Sequence, residues 1–444
     1  MIRSRWWTPT RTVALGFLAL IAVGTGLLML PAATVGDTQT GMITALFTAT
    51  SAVSLTGLTV TDTATYWSPL GHTVIAILVQ VSGFGVMSMA ALAGMIVTGR
   101  IGMRTRMLAI TEARAQDVGR VTAMLRNTLF IMVGVEAVVA VWMALRLILG
   151  YDTPPLHALG SGLFHAISAF NNAGFALYPG NLTEFVGDGW VLAPLIVAII
   201  VGGIGFPVLI NLLRFARHRL KLTLTTKLTL AGTVILLGLG VVGITVLEWN
   251  NAFAELTVTE KLWAGLFQGV VPRTAGFNTV DYAAMHPVTL MFTNGLMFIG
   301  GGSAGTAGGI KVTTAMVLMA AMISEIRGRT VTTAFRTTVA SPVIRQALTL
   351  TTASILAIGI GCWAIMLLED TATTDQIAFE TFSAFATVGL STGITPQLTP
   401  VSQLILCLLM YAGRIGPFTL IAALAMGNRG PERFTYPEER PYIG

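Results

Sequence analysis

Eight stretches of this chain stay apolar for about the 20 residues that a helix needs to cross a bilayer. They lie at roughly 12–30, 70–97, 122–149, 190–213, 225–247, 288–323, 343–368 and 400–427. Inside hydrocarbon every backbone N–H and C=O must find a partner within the protein, and runs this long and continuous meet that demand as helices. The composition agrees, with 54% hydrophobic and only 10% charged residues, far from a water-soluble average. The expected fold class is an all-α polytopic membrane protein. The first run follows Arg3, Arg5 and Arg11 as a signal peptide would, but no small-residue cleavage site and soluble domain come after it, so it reads as a retained helix.

Basic residues cluster after the even-numbered runs. Arg100, Arg104, Arg106, Arg114 and Arg120 follow the second, and Arg214, Arg217, Arg219 and Lys221 the fourth. Arg327, Arg329, Arg336 and Arg345 follow the sixth, and Arg429, Arg433 and Arg440 the eighth. The odd-to-even connections instead carry acids, among them Asp37, Asp62, Asp152, Glu184, Asp188, Glu248, Glu255, Glu260, Asp281, Glu369, Asp370, Asp375 and Glu380. The excess of Lys and Arg puts the basic connections and both termini in the cytoplasm. A nucleic-acid reading of the net charge of +6 is then unnecessary. Cys362 and Cys407 lie inside apolar runs and read as small core residues. The histidines (His72, His157, His165, His218 and His286) form no HxxxH or HExxH pair, so a metal or hydrolytic site has little to be built from.

Each odd-to-even connection contains a second, shorter apolar stretch, and the four align: LFTATSAVSLTGLTVTD (46–62), LFHAISAFNNAGFALYP (163–179), LFQGVVPRTAGFNTVDY (266–282) and TFSAFATVGLSTGITP (381–396). Each has an aromatic near its start and a glycine followed by an apolar residue: Gly57, Gly174, Gly276 and Gly389. Further on comes a second glycine-rich element, VSGFG (81–85), VGGIG (201–205), IGGGS (299–303) and YAGRIG (411–416). The chain therefore divides into four units of span, short re-entrant helix, loop and span, at 1–111, 112–221, 222–330 and 331–444. A half-length segment ending in non-helical backbone is tolerated only where it is buried in protein or lines water. Four of them about one axis make a pore.

A cation filter is built from backbone carbonyls that replace a dehydrated ion's water shell, and it uses glycine because a Cβ resists the backbone angles required. Candidate filter residues are Ser54, Leu55, Thr56 and Gly57 in the first unit and Asn171, Asn172, Ala173 and Gly174 in the second. The third offers Arg273, Thr274, Ala275 and Gly276, and the fourth Ala386, Thr387, Val388 and Gly389. Thr387-Val388-Gly389 matches the start of the TVG filter of potassium channels. A cation pointing into such a filter would repel the ion, so the Arg273 side chain is expected to point away and brace its loop.

With FQGVVPRTAGFNTVD (267–281), GGGSAGTAGGIK (300–311), FNNAGF (170–175) and YAGRIGPFTL (411–420), the chain resembles the KtrB/TrkH family of bacterial potassium uptake proteins over its whole length, and KtrB more than TrkH. The resemblance implies four M1–P-loop–M2 units around one potassium path, potassium-channel-like. It also implies a homodimer in the bacterial inner membrane and a cytosolic ring of RCK-type nucleotide-binding subunits. Leu55 is a departure, standing where the third and fourth units have threonine. Sodium dependence is left open.

The stretch IGGGSAGTAGGIKV (299–312) breaks the sixth run, because each glycine weakens a helix by roughly 1 kcal/mol relative to alanine. The break falls near mid-membrane, below the filter, where non-helical backbone must line water. Gly300, Gly301, Gly302, Gly305, Gly308 and Gly309 supply mobility, Ser303 and Thr306 hydroxyls, and the whole reads as a gate, the role the family resemblance also gives it. As a phosphate-binding loop it lacks the GK[ST] ending and a preceding strand. Lys311 and Arg414 share this depth, and a fixed positive charge there raises the barrier to a cation. Arg414 is the expected electrostatic gate residue; pairing with a backbone carbonyl at a helix break is the alternative. Glu136 would neutralise one of these cations or stabilise a dimer contact.

Two other classes remain to be weighed. An ion-coupled secondary transporter of a cation such as Na+ would place titratable groups at a midplane site. An intramembrane enzyme would need a nucleophile–base pair or metal ligands. Neither has more than Glu136 to offer. The chain carries no cofactor motif, so a nucleotide would act only through a partner subunit.

Overall fold

The structure, a computed structural model, describes residues 9–36, 39–98, 110–303 and 305–416, without the side chains of 9–13, 86–98, 110–125 and 218. Of the basic clusters, Arg3, Arg5, Arg100, Arg104, Arg106, Arg429, Arg433 and Arg440 lie outside the described residues, as do the side chains of Arg11, Arg114 and Arg120 and the far end of the eighth apolar run.

Four units follow one another, each a long helix, a short helix and a second long helix. The first has α1 (Pro9–Leu28), α2 (Met42–Ser54), a single turn α3 (Thr63–Tyr66) and α4 (Pro69–Thr98). The second has α5 (Ile110–Tyr151), α6 (Pro155–Phe170), α7 (Gly189–Ile204) and α8 (Phe206–His218). The third has α9 (Leu224–Glu248), α10 (Val258–Val270), α11 (Pro287–Phe298) and α12 (Val312–Ile326). A two-stranded hairpin, β1 (Thr333–Ala334) with β2 (Thr337–Thr338), leads to α13 (Ser341–Met366), α14 (Thr374–Ala386) and α15 (Pro400–Ile415).

The helix starts are written locally. Proline, whose missing N–H is harmless in a first turn, opens α6, α11 and α15. Capping boxes, Thr257 with Glu260 and Thr373 with Gln376, open α10 and α14. The units pack as a closed ring: α4 on α5 and α6, α7 on α10, α11 on α14, and α15 back on α2. The short helices are the most enclosed parts, and Phe47, Phe170, Phe267 and Phe385 on them are almost fully buried.

Two long runs depart from straight spans. The fourth bends by 100° between α7 and α8 at Gly205, whose φ of 96° only glycine adopts freely. The sixth breaks between α11 and α12, as its glycines require. Among the described residues α9, α13 and the 126–151 part of α5 are each long and apolar enough to cross a membrane by themselves, with the bent α7–α8 pair a possible fourth. The other runs are broken or continue past the described side chains.

Buried or capping carboxylates tie long helices together at one end of the ring. Glu248, closing α9, accepts from the His286 amide at 3.0 Å, from Asn251 at 2.7 Å and from the Thr289 hydroxyl. Glu369, after α13, accepts from the Thr399 amide at 2.8 Å and its hydroxyl at 2.7 Å. Burial pushes the Glu369 carboxyl up, but hydrogen bonds from Ser402 and Thr399 outweigh it and hold the group below its ordinary range. It is therefore ionised at neutral pH. Asp188 caps α7 and takes Arg146 at 2.8 Å and Tyr151 at 2.9 Å from α5. Glu248→Ala leaves buried donors unpaired, at a cost of about 1–3 kcal/mol. It should lower the thermal midpoint of the purified protein in detergent, whereas Glu255→Ala, at an exposed loop position, should not.

Candidate functional site

The four glycines meet at the centre of the ring. Each short helix ends two or more residues before its glycine, and the chain then turns through a left-handed residue: Leu55 (φ 57°), Asn172 (54°), Thr274 (70°) and Thr387 (51°). One residue later it returns to the other hand, and the glycine turns it again: Gly57 (92°), Gly174 (73°), Gly276 (72°) and Gly389 (93°). Leu55, a departure by side chain, is therefore no departure by backbone. The alternation follows from where the amides go. The N–H groups of Thr56, Ala173 and Val388 donate back to the Ser51, Ser168 and Ser383 carbonyls at 2.8–2.9 Å, and that of Ala275 to Val271 at 3.0 Å. Gly57 and Gly389 donate to the Ser51 and Ser383 hydroxyls at 3.0 Å.

With the Gly57 and Gly389 N–H groups turned to their short helices, the C=O groups of the same peptides, those of Thr56 and Val388, point the other way. The glycines record the result as a ring. A Cβ on Gly57 would lie 2.5 Å from the Ala173 carbonyl oxygen, one on Gly174 3.0 Å from that of Ala275, and one on Gly276 2.5 Å from that of Val388. One on Gly389 would collide with the Thr56 carbonyl and close the circle. Carbonyl oxygens held this way, with the negative C-terminal ends of four helices behind them, are the chemistry that coordinates a dehydrated cation. The Thr274 and Thr387 hydroxyls are buried here without a hydrogen-bond partner.

Further bonds anchor each loop. The Arg273 side chain turns from the ring to the Thr233 carbonyl at 3.1 Å and the Gly300 carbonyl at 3.4 Å. Three buried polar groups on the short helices catch the chain just past the glycine, and none was singled out from sequence. His165 accepts from the Leu177 amide at 3.2 Å, Gln268 donates to the Val280 carbonyl at 3.1 Å, and Glu380 accepts from the Thr392 amide at 2.9 Å. Glu380, counted from sequence as a connection acid, lies inside α14 and is buried. The signal available was position: each stands eight or nine residues before its glycine.

Residues 299–303 and 305–311 pack against the loops that carry the ring. The ends of the break are tied together, Gly300 N–H to the Ile310 carbonyl at 2.9 Å and Val312 N–H to Gly301 at 2.9 Å. The bend at Gly205 cradles the loop: Gly302 N–H donates to the Gly203 carbonyl at 2.7 Å, and a Cβ on Gly205 would collide with the Ser303 carbonyl. Gly300 and Gly308 pack against Thr274 and Thr387. Gly305 packs on Gly205, and Gly309 (φ 62°) on Ala386. Ser303 pairs with Thr313 at 2.7 Å, and the Thr306 hydroxyl reaches the Phe170 carbonyl and Asn172 at 3.4 Å. The Asn172 amide turned over would instead donate to the Ile199, Phe170 and Ala169 carbonyls at 3.2–3.3 Å. Lys311 donates to the Ala307 carbonyl and Arg414 to that of Thr306. In this conformation the glycine-rich loop is held by backbone hydrogen bonds.

The expectation for Glu136 is corrected. Its carboxylate meets neither Lys311 nor Arg414 but accepts from Gln80 at 2.8 Å and Asn171 at 3.2 Å, inside the protein. For the Glu380 clasp, Glu380→Leu strands the Ser391, Thr392 and Thr395 donors. Faster hydrogen exchange confined to 390–396 is the expected outcome, while Glu380→Gln, which keeps an acceptor, should stay near wild type.

With this geometry established, comparison with known proteins is specific. The TrkH family, described as a cation transport protein, matches residues 5–429. Ktr system potassium uptake protein B of Bacillus subtilis is 40% identical over 99% of this chain and 97% of its own. The Vibrio alginolyticus protein of the same name is 35% identical over 98% and 94%. Potassium/sodium uptake protein NtpJ of Enterococcus hirae is also 35% identical, over 98% and 97%. The potassium transporter TrkH of Vibrio parahaemolyticus superposes with a TM-score of 0.75 at 18% identity, covering 96% of this chain and 87% of that one, which speaks to the fold alone. Family match, near-full-length relatives and shared fold coincide: the chain is a member of the TrkH family of cation transport proteins.

Proposed function

We propose that this chain is the potassium-translocating membrane subunit of a Ktr-type uptake system. The single observation that carries the reading is the ring in which each loop's carbonyl faces its neighbour's glycine, Thr56 to Gly389, Val388 to Gly276, Ala275 to Gly174 and Ala173 to Gly57. A cation entering the ring exchanges its water for these oxygens, and the hydrogen bonds behind them keep their spacing from relaxing. The filter comprises the four residues named in each unit, with the Arg273 side chain serving as a brace.

The gate is the loop 300–309 with Lys311 and Arg414. Its glycines pack against Thr274 and Thr387, so an ion leaving the ring on that side meets the loop first. Arg414 both adds positive charge to that path and holds the loop closed through the Thr306 carbonyl. Opening requires breaking that bond. The names of the Ktr relatives support a system of more than one component. On this reading the chain works as a homodimer in the bacterial inner membrane, both termini cytoplasmic, with an RCK-type subunit bringing the nucleotide. The Enterococcus relative's name includes sodium, which favours testing Na+ as activator or second cargo over leaving it aside.

The test is growth at low potassium of a bacterial strain lacking its own uptake systems, with an RCK-type partner supplied. Wild type should rescue growth. Gly276→Ser adds a Cβ that meets the Val388 carbonyl at a positive φ, a strain of about 1–3 kcal/mol at the centre of the ring, and should weaken uptake at least tenfold with sodium gaining on potassium. Arg414→Ala should keep or raise uptake while weakening its dependence on the partner. A wild type that rescues nothing would leave the ring without potassium as its ion. In the same cells, varying external Na+ at fixed K+ separates activation, seen as faster potassium uptake, from competition, seen as slower.

A further inference from the structure

One buried carboxyl group has no part in the filter or the gate. Glu136 lies on α5, 4% exposed, and a carboxylate deep in a membrane protein costs several kcal/mol unless it is compensated. Its oxygens accept from two side-chain amides, Gln80 Nε2 on α4 at 2.8 Å and Asn171 Nδ2 at 3.2 Å. The Asn171 nitrogen is shared with the Gln80 side-chain oxygen at 3.0 Å and the Ile167 carbonyl at 2.9 Å. No described cation answers the charge: Lys311 and Arg414 are bonded to loop carbonyls, Arg273 to Thr233 and Gly300, and the ion pair found among the described residues is Arg146 with Asp188.

Position gives this charge a use. Asn171 closes α6 and directly precedes Asn172, the left-handed residue of the second loop. The contact leaves no slack, because a Cβ on Gly83 of α4 would collide with the Asn171 side-chain oxygen. Glu136 thus grips the base of one filter loop from behind, through two neutral amides that transmit its field without cancelling it.

We infer that Glu136 is a positioning residue of the ion path, whose carboxylate holds Asn171 in place and serves as the resident counter-charge for a potassium ion in the adjoining carbonyl ring. The inference rests on the potassium reading above. A neutral carbonyl ring beside low-dielectric protein binds a bare cation more tightly when a fixed negative charge stands nearby, since Coulomb interactions are strong where water is excluded. The carboxylate belongs to the second unit: α1 and α13 contain no acid, and the acid of α9 is Glu248 at its very end.

The test uses the full chain with its partner subunit in the same uptake-deficient cells, comparing wild type, Glu136→Gln and Glu136→Asp. Half-saturating potassium, maximal rate, potassium-over-sodium preference and the amount of folded protein in the membrane are read together. Glu136→Gln keeps size and an acceptor but removes the charge. It should raise half-saturating potassium about tenfold, the worth of one charge-assisted hydrogen bond, and erode the preference over sodium, while the maximal rate per folded protein stays within about twofold. Glu136→Asp should recover part of the affinity. Wild-type affinity and preference in Glu136→Gln would overturn the inference. So would a loss of rate that merely tracks the loss of folded protein at unchanged affinity. A wild type that takes up no potassium would overturn the potassium reading, and this inference with it.

Discussion

The structure depends on one constraint: a backbone amide in a membrane interior cannot be left without a partner. At the centre of this protein the short helices have stopped and the loops have not yet left the membrane, so four segments of non-helical chain must be satisfied at once. Each solves it in the same way. The N–H before the glycine turns back to its own short helix, to Ser51, Ser168, Val271 or Ser383. Where the glycine N–H turns back as well, at Gly57 and Gly389, the carbonyl of the same peptide, that of Thr56 or Val388, points the other way, toward a neighbouring loop. The carbonyl ring is the remainder of that hydrogen bonding rather than a separate invention, which is why small, unreactive residues suffice to build it.

The same constraint explains the second set of glycines. For a long helix to cover the end of a short one, its backbone must approach the exposed carbonyls closely. A Cβ on Gly202 would collide with the Phe170 carbonyl, and one on Gly413 with that of Phe385. In the third unit the approach goes further, and the helix gives way to a loop whose own amides reach Gly202 and Gly203. Arg414 and Lys311 are then less anomalous than buried cations usually are. Each completes the hydrogen bonding of a loop carbonyl that no helix supplies.

Side chains contribute where symmetry is imperfect. The second, third and fourth units each clasp the outgoing chain with a different residue, His165, Gln268 and Glu380. Their common position with uncommon chemistry is what divergence from one ancestral unit would leave, provided the backbone geometry is kept. Glu136 belongs to this class of unit-specific additions. Four identical loops would make a symmetric cage, and a single off-axis charge gives one side of it a different field.

By itself the sequence determined the helical class, the four glycines that meet at the centre, the break in the sixth run and the nearness of Lys311 and Arg414 to it. All of these follow from local rules: apolar length, glycine's backbone freedom and the cost of charge in lipid. The left-handed residue two before each glycine was not legible, because Leu55, Asn172, Thr274 and Thr387 share no side-chain property and their φ is imposed by the amide that follows. The bend at Gly205 was hidden as well; VGGIG reads as a repeat marker until the loop from the third unit is seen lying in it. Glu136 was misread for the same reason. Its partners Gln80 and Asn171 are 56 and 35 residues away, and only the packing of α4 against α5 and α6 brings parts of two units to one buried carboxylate.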